Sequence, residues 1–178
     1  MIRITAGKFR SRKLITPDTL STKPTMDRVR EGVFSALAGD INNSTVLDLF
    51  AGSGSYGFEA LSRGASYAYF VENTQLAIKS IDDNIKTLKV QNDCKIVQAD
   101  SLSFINNNKE KYDIIFVDPP YKAYDYHFLV EQILSNELLK PFGIIVLESE
   151  DDLDIDESRF TKVKKYKYGL AKIYMLRK

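Results

Sequence analysis

The sequence predicts an α/β domain: a mostly parallel sheet covered by helices on both faces, with an antiparallel strand pair at one edge. Three observations predict it. Apolar runs of strand length alternate with amphipathic helical segments along residues 45–147, five times over. The runs are continuous rather than alternating, as in Ile114-Ile115-Phe116-Val117, the pattern of strands buried on both faces. After the fifth strand the rhythm breaks, and two β-like runs follow with no helix between them.

In chain order, residues 2–6 and 12–16 are short β-like runs on either side of Gly7-Lys8-Phe9-Arg10-Ser11 and predict a hairpin. Residues 17–24, bounded by Pro17 and Pro24, form a turn-rich connector. Thr25 is placed to cap a helix over 26–38, with Asp27 in its first turn and Val29, Val33, Phe34 and Leu37 along one face. Strand 45–50 runs into a Gly-rich turn and a helix reaching about Arg63. Strand 67–72 leads to helix 74–89, where Ile78, Ile81, Ile85 and Leu88 share a stripe. Strand 94–100 leads to a short helix ending at Asn106-Asn107-Asn108. Strand 112–118 passes through Pro119-Pro120 into helix 125–139, and 143–147 is the fifth strand. An acidic loop, Glu148 to Glu157, precedes the runs 159–167 and 171–177, which turn at Gly169. Nothing repeats and no second linker interrupts this order. Residues 1–178 therefore read as one domain, with residues 1–24 a basic hairpin extension and connector within it.

Composition removes whole classes of function. With one Cys and one His in 178 residues, no intramolecular disulfide forms, a Cys/His zinc site lacks ligands, and a Ser-His-Asp or Cys-His mechanism must run through His127 alone. Cys94, opening a strand, is expected in the core, and His127 is expected to help cover the sheet. No apolar stretch approaches the ~20 residues that span a bilayer, and no apolar core follows the basic start, so the expected home is cytoplasmic and reducing, with no membrane partner. The balance of 25 Lys+Arg and 24 Asp+Glu hides a segregation. Residues 1–30 hold eight Lys/Arg and two Asp, and residues 159–178 hold eight Lys/Arg and no acid. Two basic ends on an acidic body point to a partner with a phosphate backbone. Arg3, Lys8, Arg10, Arg12 and Lys13 surround Phe9, so stacking is available beside charge. Tyr166, Tyr168 and Tyr174 are expected to pack, and the acidic run Asp151-Asp152-Leu153-Asp154 reads as a solvated loop.

In an open parallel sheet, ligands collect at the carboxyl ends of the strands near the point where strand order reverses. The first strand ends in Asp48-Leu49-Phe50-Ala51-Gly52-Ser53-Gly54, whose glycines let backbone approach a ligand. The second ends in Glu72-Asn73, an acid placed to accept from both hydroxyls of a ribose. The third ends in Asp100-Ser101, acceptors suited to an adenine amino group. Together they predict a pocket for an adenosine-bearing cofactor. Gly52-x-Gly54-x-x-Gly57 with Glu72 also satisfies the dinucleotide fingerprint, so a dehydrogenase is the rival reading. The fourth strand end separates the two. In Asp118-Pro119-Pro120-Tyr121, two prolines remove two donors and leave acceptor carbonyls beside a carboxylate and a ring. Such a rim receives an exocyclic NH₂ on a planar base.

Asp118-Pro119-Pro120-Tyr121 together with Phe50 to Gly54 resembles the S-adenosylmethionine-dependent amino-methyltransferases. The blocks Arg3 to Gly7, Arg10 to Leu14, Lys23 to Glu31, Leu47 to Gly57 with Glu59 to Ala65, and Glu148-Ser149-Glu150 narrow the resemblance to the RsmD family. These are bacterial methyltransferases of small-subunit ribosomal RNA acting at guanine N2. The sequence departs from that pattern at Ala6, Ser11, Lys23 and Asn73, none of which touches 118–121. The resemblance implies a Rossmann-like seven-stranded class I methyltransferase fold with the last strand pair antiparallel. It also implies an N-terminal hairpin that grips RNA, and S-adenosylmethionine, left as S-adenosylhomocysteine, in the pocket of Asp48, Phe50, Ala51, Gly52, Ser53, Gly54, Glu72, Asn73, Asp100 and Ser101. No metal is expected.

The expected chemistry is positioning. Asp118 and the Pro119 carbonyl accept the two N–H bonds of the amino group, aiming its lone pair at the methyl donor, while Pro120 stiffens the rim and Tyr121 stacks on an extruded base. Arg28 and Arg30 face either RNA phosphate or the cofactor carboxylate. The expected partner is 16S rRNA or a small-subunit particle, and the expected state is a monomer. An adenine-N6 methyltransferase using the same acceptor motif, and a binding module without turnover, remain alternatives.

Overall fold

In the computed structural model, residues 2–17, 27–120 and 122–178 are described. The connector residues 18–26 and Tyr121 lie outside them, and with them the Thr25 cap and the Lys23 to Met26 block.

The elements follow the predicted order: β1 (Ile2–Arg3), β2 (Lys13–Leu14), α1 (Asp27–Ala36), β3 (Thr45–Asp48), α2 (Ser55–Ser62), β4 (Tyr67–Glu72), α3 (Gln75–Leu88), β5 (Cys94–Gln98), α4 (Ser101–Asn107), β6 (Tyr112–Val117), α5 (Tyr126–Ser135), β7 (Leu139–Ser149), β8 (Lys162–Tyr168) and β9 (Ala171–Arg177). A single 3₁₀ turn, Glu157–Arg159, precedes β8. Seven strands form one sheet in the order β5-β4-β3-β6-β7-β9-β8. The first five of these are parallel, and β9 runs antiparallel to both β7 and β8. Strand order reverses between β3 and β6, which fixes where the cleft must open. Among the described residues, no helix is long and apolar enough to cross a membrane.

Alternation along the strands sorts the core into two layers. Val46, Phe70, Ile114, Phe116, Ile144 and Val146 point to the face that carries α1, α2 and α3. Leu47, Val71, Ile115, Val117, Ile145 and Leu147 point to the face that carries α4 and α5. Burying each such side chain contributes roughly 1.5–3 kcal/mol, so the register is strongly specified. Tyr174 is buried, and Tyr166 and Tyr168 pack against the first layer as expected, with Gly32 of α1 seated on the Tyr168 ring. Cys94 is a buried free thiol. His127 instead faces solvent, because Leu129, Val130 and Ile133 supply the buried stripe of α5.

Several boundaries differ from the sequence reading, among them the first strand, which ends at Asp48, and the helix read over 125–139, which ends at Ser135. The hairpin ladder shrinks to Ile2↔Leu14 and Arg3↔Lys13, and a wide turn, with Gly7 and Ser11 at positive φ, replaces the rest. The fifth strand grows to Leu139–Ser149, because Leu139 pairs with Tyr112 and a register shift absorbs the Pro141–Gly143 segment. The third strand ends at Gln98, since Asp100 is taken up as the cap of α4, accepting from the Ser103 amide at 3.0 Å.

The hairpin is docked on the body. Glu59 of α2, fully buried, accepts from the Thr5 amide, the Thr5 hydroxyl and the Ala6 amide at 2.7–3.1 Å, and from Arg63 Nε at 2.7 Å. Ser62 receives the amides of Lys8 and Phe9. A Cβ at Gly7 would lie 1.9 Å from the Ser62 carbonyl, so only glycine permits this approach. The turn therefore sits at the carboxyl end of α2, by the amino edge of the sheet, while Ile2, Thr16 and Pro17 border the cleft at the opposite edge.

Candidate active site

A cleft of about 840 Å³ opens at the carboxyl edge of the sheet, over the switch point. The turn after β3 and the rim after β6 both line it: Gly52 and Ser53 on one side, Asp118, Pro119 and Pro120 on the other. Each enters for a local reason. β3 ends when the chain turns up through Gly52 (φ 53°) and Gly54 (φ 78°), conformations other residues adopt only with strain. The three glycines then do different work. A Cβ at Gly52 would meet nothing within 4 Å, so its open side faces the cleft. A Cβ at Gly54 or Gly57 would strike Phe58 or Phe70 at 2.6 and 2.2 Å. Gly54 therefore serves helix packing and does not line the cleft, a correction to its expected place among the ligand contacts.

The same alternation that sorts the core brings four carboxylates to one face. Glu72, Asp48, Asp118 and Glu148 each lie two residues beyond a first-layer residue (Phe70, Val46, Phe116, Val146), at or just past the carboxyl ends of the neighbouring strands β4, β3, β6 and β7. Glu72 Oε2 accepts from the Gly52 amide at 2.9 Å, and Oε1 accepts from the amides of Asn73 and Thr74 at 3.0 and 2.8 Å. These bonds hold the carboxylate at the rim, and it keeps acceptor capacity for a diol. Asp48 is buried and accepts from the Gly57 amide at 3.0 Å. Burial pushes its carboxyl up to about 7, the Gly57 bond opposes this, and the Glu72 charge adds to it. Asp48 therefore ionises only near neutrality, and a bound cation would favour its anionic form.

Phe50, Ala51, Asn73 and Ser101 line the cleft as expected. Ser101 is committed to the frame, its hydroxyl donating to the Leu49 carbonyl at 2.9 Å. Asp100 is exposed and is not among the cleft-lining residues; it accepts from the hydroxyl of the cleft-lining Tyr124 at 3.2 Å, and its carboxyl is held below the usual range chiefly by the Ser103 amide. On the opposite rim, Pro119 is buried and Pro120 exposed. The Pro120 carbonyl accepts from the Ala123 amide at 3.0 Å, so of the two proline carbonyls it is Pro120's that is taken up in a turn. Tyr121 lies outside the described residues.

Among the expected RNA contacts, Arg3, Lys8, Arg10, Arg12, Lys13 and Arg28 are exposed. Arg30 is not. It is fully buried, and its Nη2 donates to the Arg3 carbonyl and to Asp27 Oδ1, both at 2.7 Å. Arg30 braces α1 against the hairpin, and a buried guanidinium cannot reach a phosphate backbone. The carboxyl-terminal charge is also partly spent within the fold. Arg159, Lys165, Lys172 and Arg177 pair with Glu131, Glu157, Asp152 and Asp40.

The sequence reading missed two tyrosines and passed over one carboxylate. Tyr56 OH donates to Glu148 Oε2 at 2.7 Å, and Tyr126 OH donates to the Glu148 carbonyl at 2.5 Å. All three line the cleft. The available signal was Glu148 itself, an acid ending the fifth parallel strand, where the same rule already picked out the first four.

A model of the family described as Conserved hypothetical protein 95 matches residues 2–177. The chain is 40% identical over 159 residues to ribosomal RNA small subunit methyltransferase D of Haemophilus influenzae, covering 85% of this chain and 80% of that one. To the Escherichia coli protein of the same name it is 38% identical over 149 residues, covering 84% and 75%. The solved Escherichia coli yhhF structure superposes with a TM-score of 0.88 at 31% identity, covering 99% and 97%.

Proposed function

This chain belongs to the RsmD family, described by its model as Conserved hypothetical protein 95, and from that membership we propose that it methylates guanine N2 in small-subunit ribosomal RNA using S-adenosylmethionine. That it is an rRNA methyltransferase follows from relatives at 38–40% identity over most of the chain. The base, the atom and the cofactor are the proposal. The observation that carries it is the shared cleft: an acceptor rim, Asp118-Pro119, opposite a glycine turn backed by Glu72 and the buried Asp48.

The residues present fit the cofactor. Gly52 leaves open space on its cleft side, Glu72 offers lone pairs to a ribose, and Asp48 gains from a nearby positive charge. When bound, S-adenosylmethionine supplies an electrophilic methyl on a cationic sulfur. The chain supplies position. Asp118 accepts one N–H of the amino group and the Pro119 carbonyl the other, which turns the nitrogen lone pair away from the ring and toward the donor. Asp118 or solvent takes the proton released when the amine is methylated. Arg3, Lys8, Arg10, Arg12 and Lys13 on the hairpin, with Arg28 on α1, offer RNA an exposed basic surface.

Labelled S-adenosylmethionine incubated with 16S rRNA or small-subunit particles, followed by nucleoside analysis, tests this. N2-methylguanosine is expected, and Asp118→Ala should abolish it while leaving cofactor affinity within a few-fold. Label in N6-methyladenosine would establish the adenine alternative, and heat on titration with NADH but not with S-adenosylmethionine would restore the dehydrogenase.

A further inference from the structure

The geometry points to Glu148 as the residue that reads the N1 position of the target base, selecting guanine over adenine. The inference rests on the functional reading above and adds a specificity determinant to it.

Glu148 and Asp118 are neighbours by register. The parallel pairing of β6 with β7 runs Phe116↔Val146 and Val117↔Leu147, where it ends, and continuing that register places Asp118 beside Glu148 at roughly the spacing of neighbouring strands, ~4.8 Å. Both line the cleft. Glu148 is also aimed. Its Oε2 receives the Tyr56 hydroxyl at 2.7 Å, and the buried Tyr56 ring is stacked on Phe116 at 4.8 Å and 17°, which gives that hydroxyl a fixed origin. Tyr126 anchors the backbone of the same residue. Burial and the nearby carboxylates push the Tyr56 hydroxyl well above its usual range, so it remains a donor at any working pH. A carboxylate has about four acceptor positions, so the Tyr56 bond does not by itself exhaust Glu148.

The two acids face a base edge whose hydrogens differ between purines. Guanine presents N1–H next to N2–H₂, a row of donors. Adenine presents an amino group next to a bare N1 lone pair. With Asp118 and Pro119 holding the amino group, Glu148 meets either the guanine N1–H, a charge-assisted bond, or the adenine N1 lone pair, a repulsive contact between two acceptors. A site built to bond a substrate N–H rejects the analogue that lacks it, because its own polar group is then left unmatched.

The test compares guanine with 2-aminopurine at the methylated position of a reconstituted rRNA fragment. 2-Aminopurine keeps the amino group and lacks the N1 hydrogen. The wild-type protein is expected to favour guanine by about 10- to 100-fold in kcat/KM, from one charge-assisted hydrogen bond. In Glu148→Gln the side-chain amide can donate to a bare N1, and the ratio should fall to within about threefold, with the heat of S-adenosylmethionine binding retained. Tyr56→Phe, which removes one hydrogen bond to the carboxylate without changing its charge, should lower the ratio less than Glu148→Gln does. A guanine/2-aminopurine ratio unchanged in both variants overturns the role of Glu148 and leaves the functional reading intact. Absence of N2-methylguanosine from the wild-type product overturns both.

Discussion

Replacing Asp48 with Asn should make the ligand-free protein more stable, by an amount that depends on pH in a stated way. An ordinary Asp titrates at 3.8, and burial raises Asp48 to about 7 in the fold. The native state therefore binds this proton more tightly than the unfolded chain does. The associated stability is fully present below about pH 4 and is lost progressively as pH rises to about 7. Roughly three units at 1.36 kcal/mol each amount to about 4 kcal/mol, an upper bound because Asn also gives up the charged partner of the Gly57 amide. Asn keeps an acceptor oxygen for that amide, so the frame survives. Urea unfolding of both proteins should show little difference at pH 4, a gap widening between pH 4 and 7, and a plateau above. A gap of constant size across that range would show that Asp48 is not held as a strained anion. The same reasoning links the cleft to its cofactor: affinity for S-adenosylmethionine should rise with pH through about 7 in the wild type, and this rise should be missing in Asp48→Asn.

Four further outcomes follow from the structure. Glu59→Ala leaves Arg63 and two hairpin amides without their buried acceptor, and should cost about 3–5 kcal/mol in denaturant unfolding while exposing the Thr5 and Ala6 amides to hydrogen exchange. Arg10→Glu with Arg12→Glu, at exposed positions, should weaken RNA binding and flatten its salt dependence, read as the slope of log affinity against log salt. Gly52→Ala places a methyl on the open side of the turn and should lower cofactor affinity by calorimetry, besides a stability cost from its positive φ. Gly57→Ala, whose methyl would meet Phe70 at 2.2 Å, should instead lower the unfolding midpoint.

Local residue choices already carried much of the result. Continuous apolar runs such as Ile114 to Val117 identify parallel strands because both of their faces are buried, and the run of residues 159–177 without a helix identifies the antiparallel edge. The acids and glycines at strand ends identified Gly52, Glu72 and Asp118, because chemistry at a sheet's carboxyl edge must be written in the few residues that follow each strand. Family resemblance then supplied the role proposed for those residues.

What the chain could not disclose by itself was which neighbours each charge would find. Arg28 and Arg30 are two positions apart in one basic block, yet a helix of 3.6 residues per turn sends one to solvent and the other beneath the hairpin, onto the Arg3 carbonyl. Glu59 and Glu148 read as ordinary helix and strand-end acids until folding brings residues more than fifty positions away against them, hairpin amides in one case and Tyr56 in the other. Spacing along the backbone determines strands, helices and turns because those are local. The partners of a buried charge are set by strand order and register, which only the assembled sheet decides.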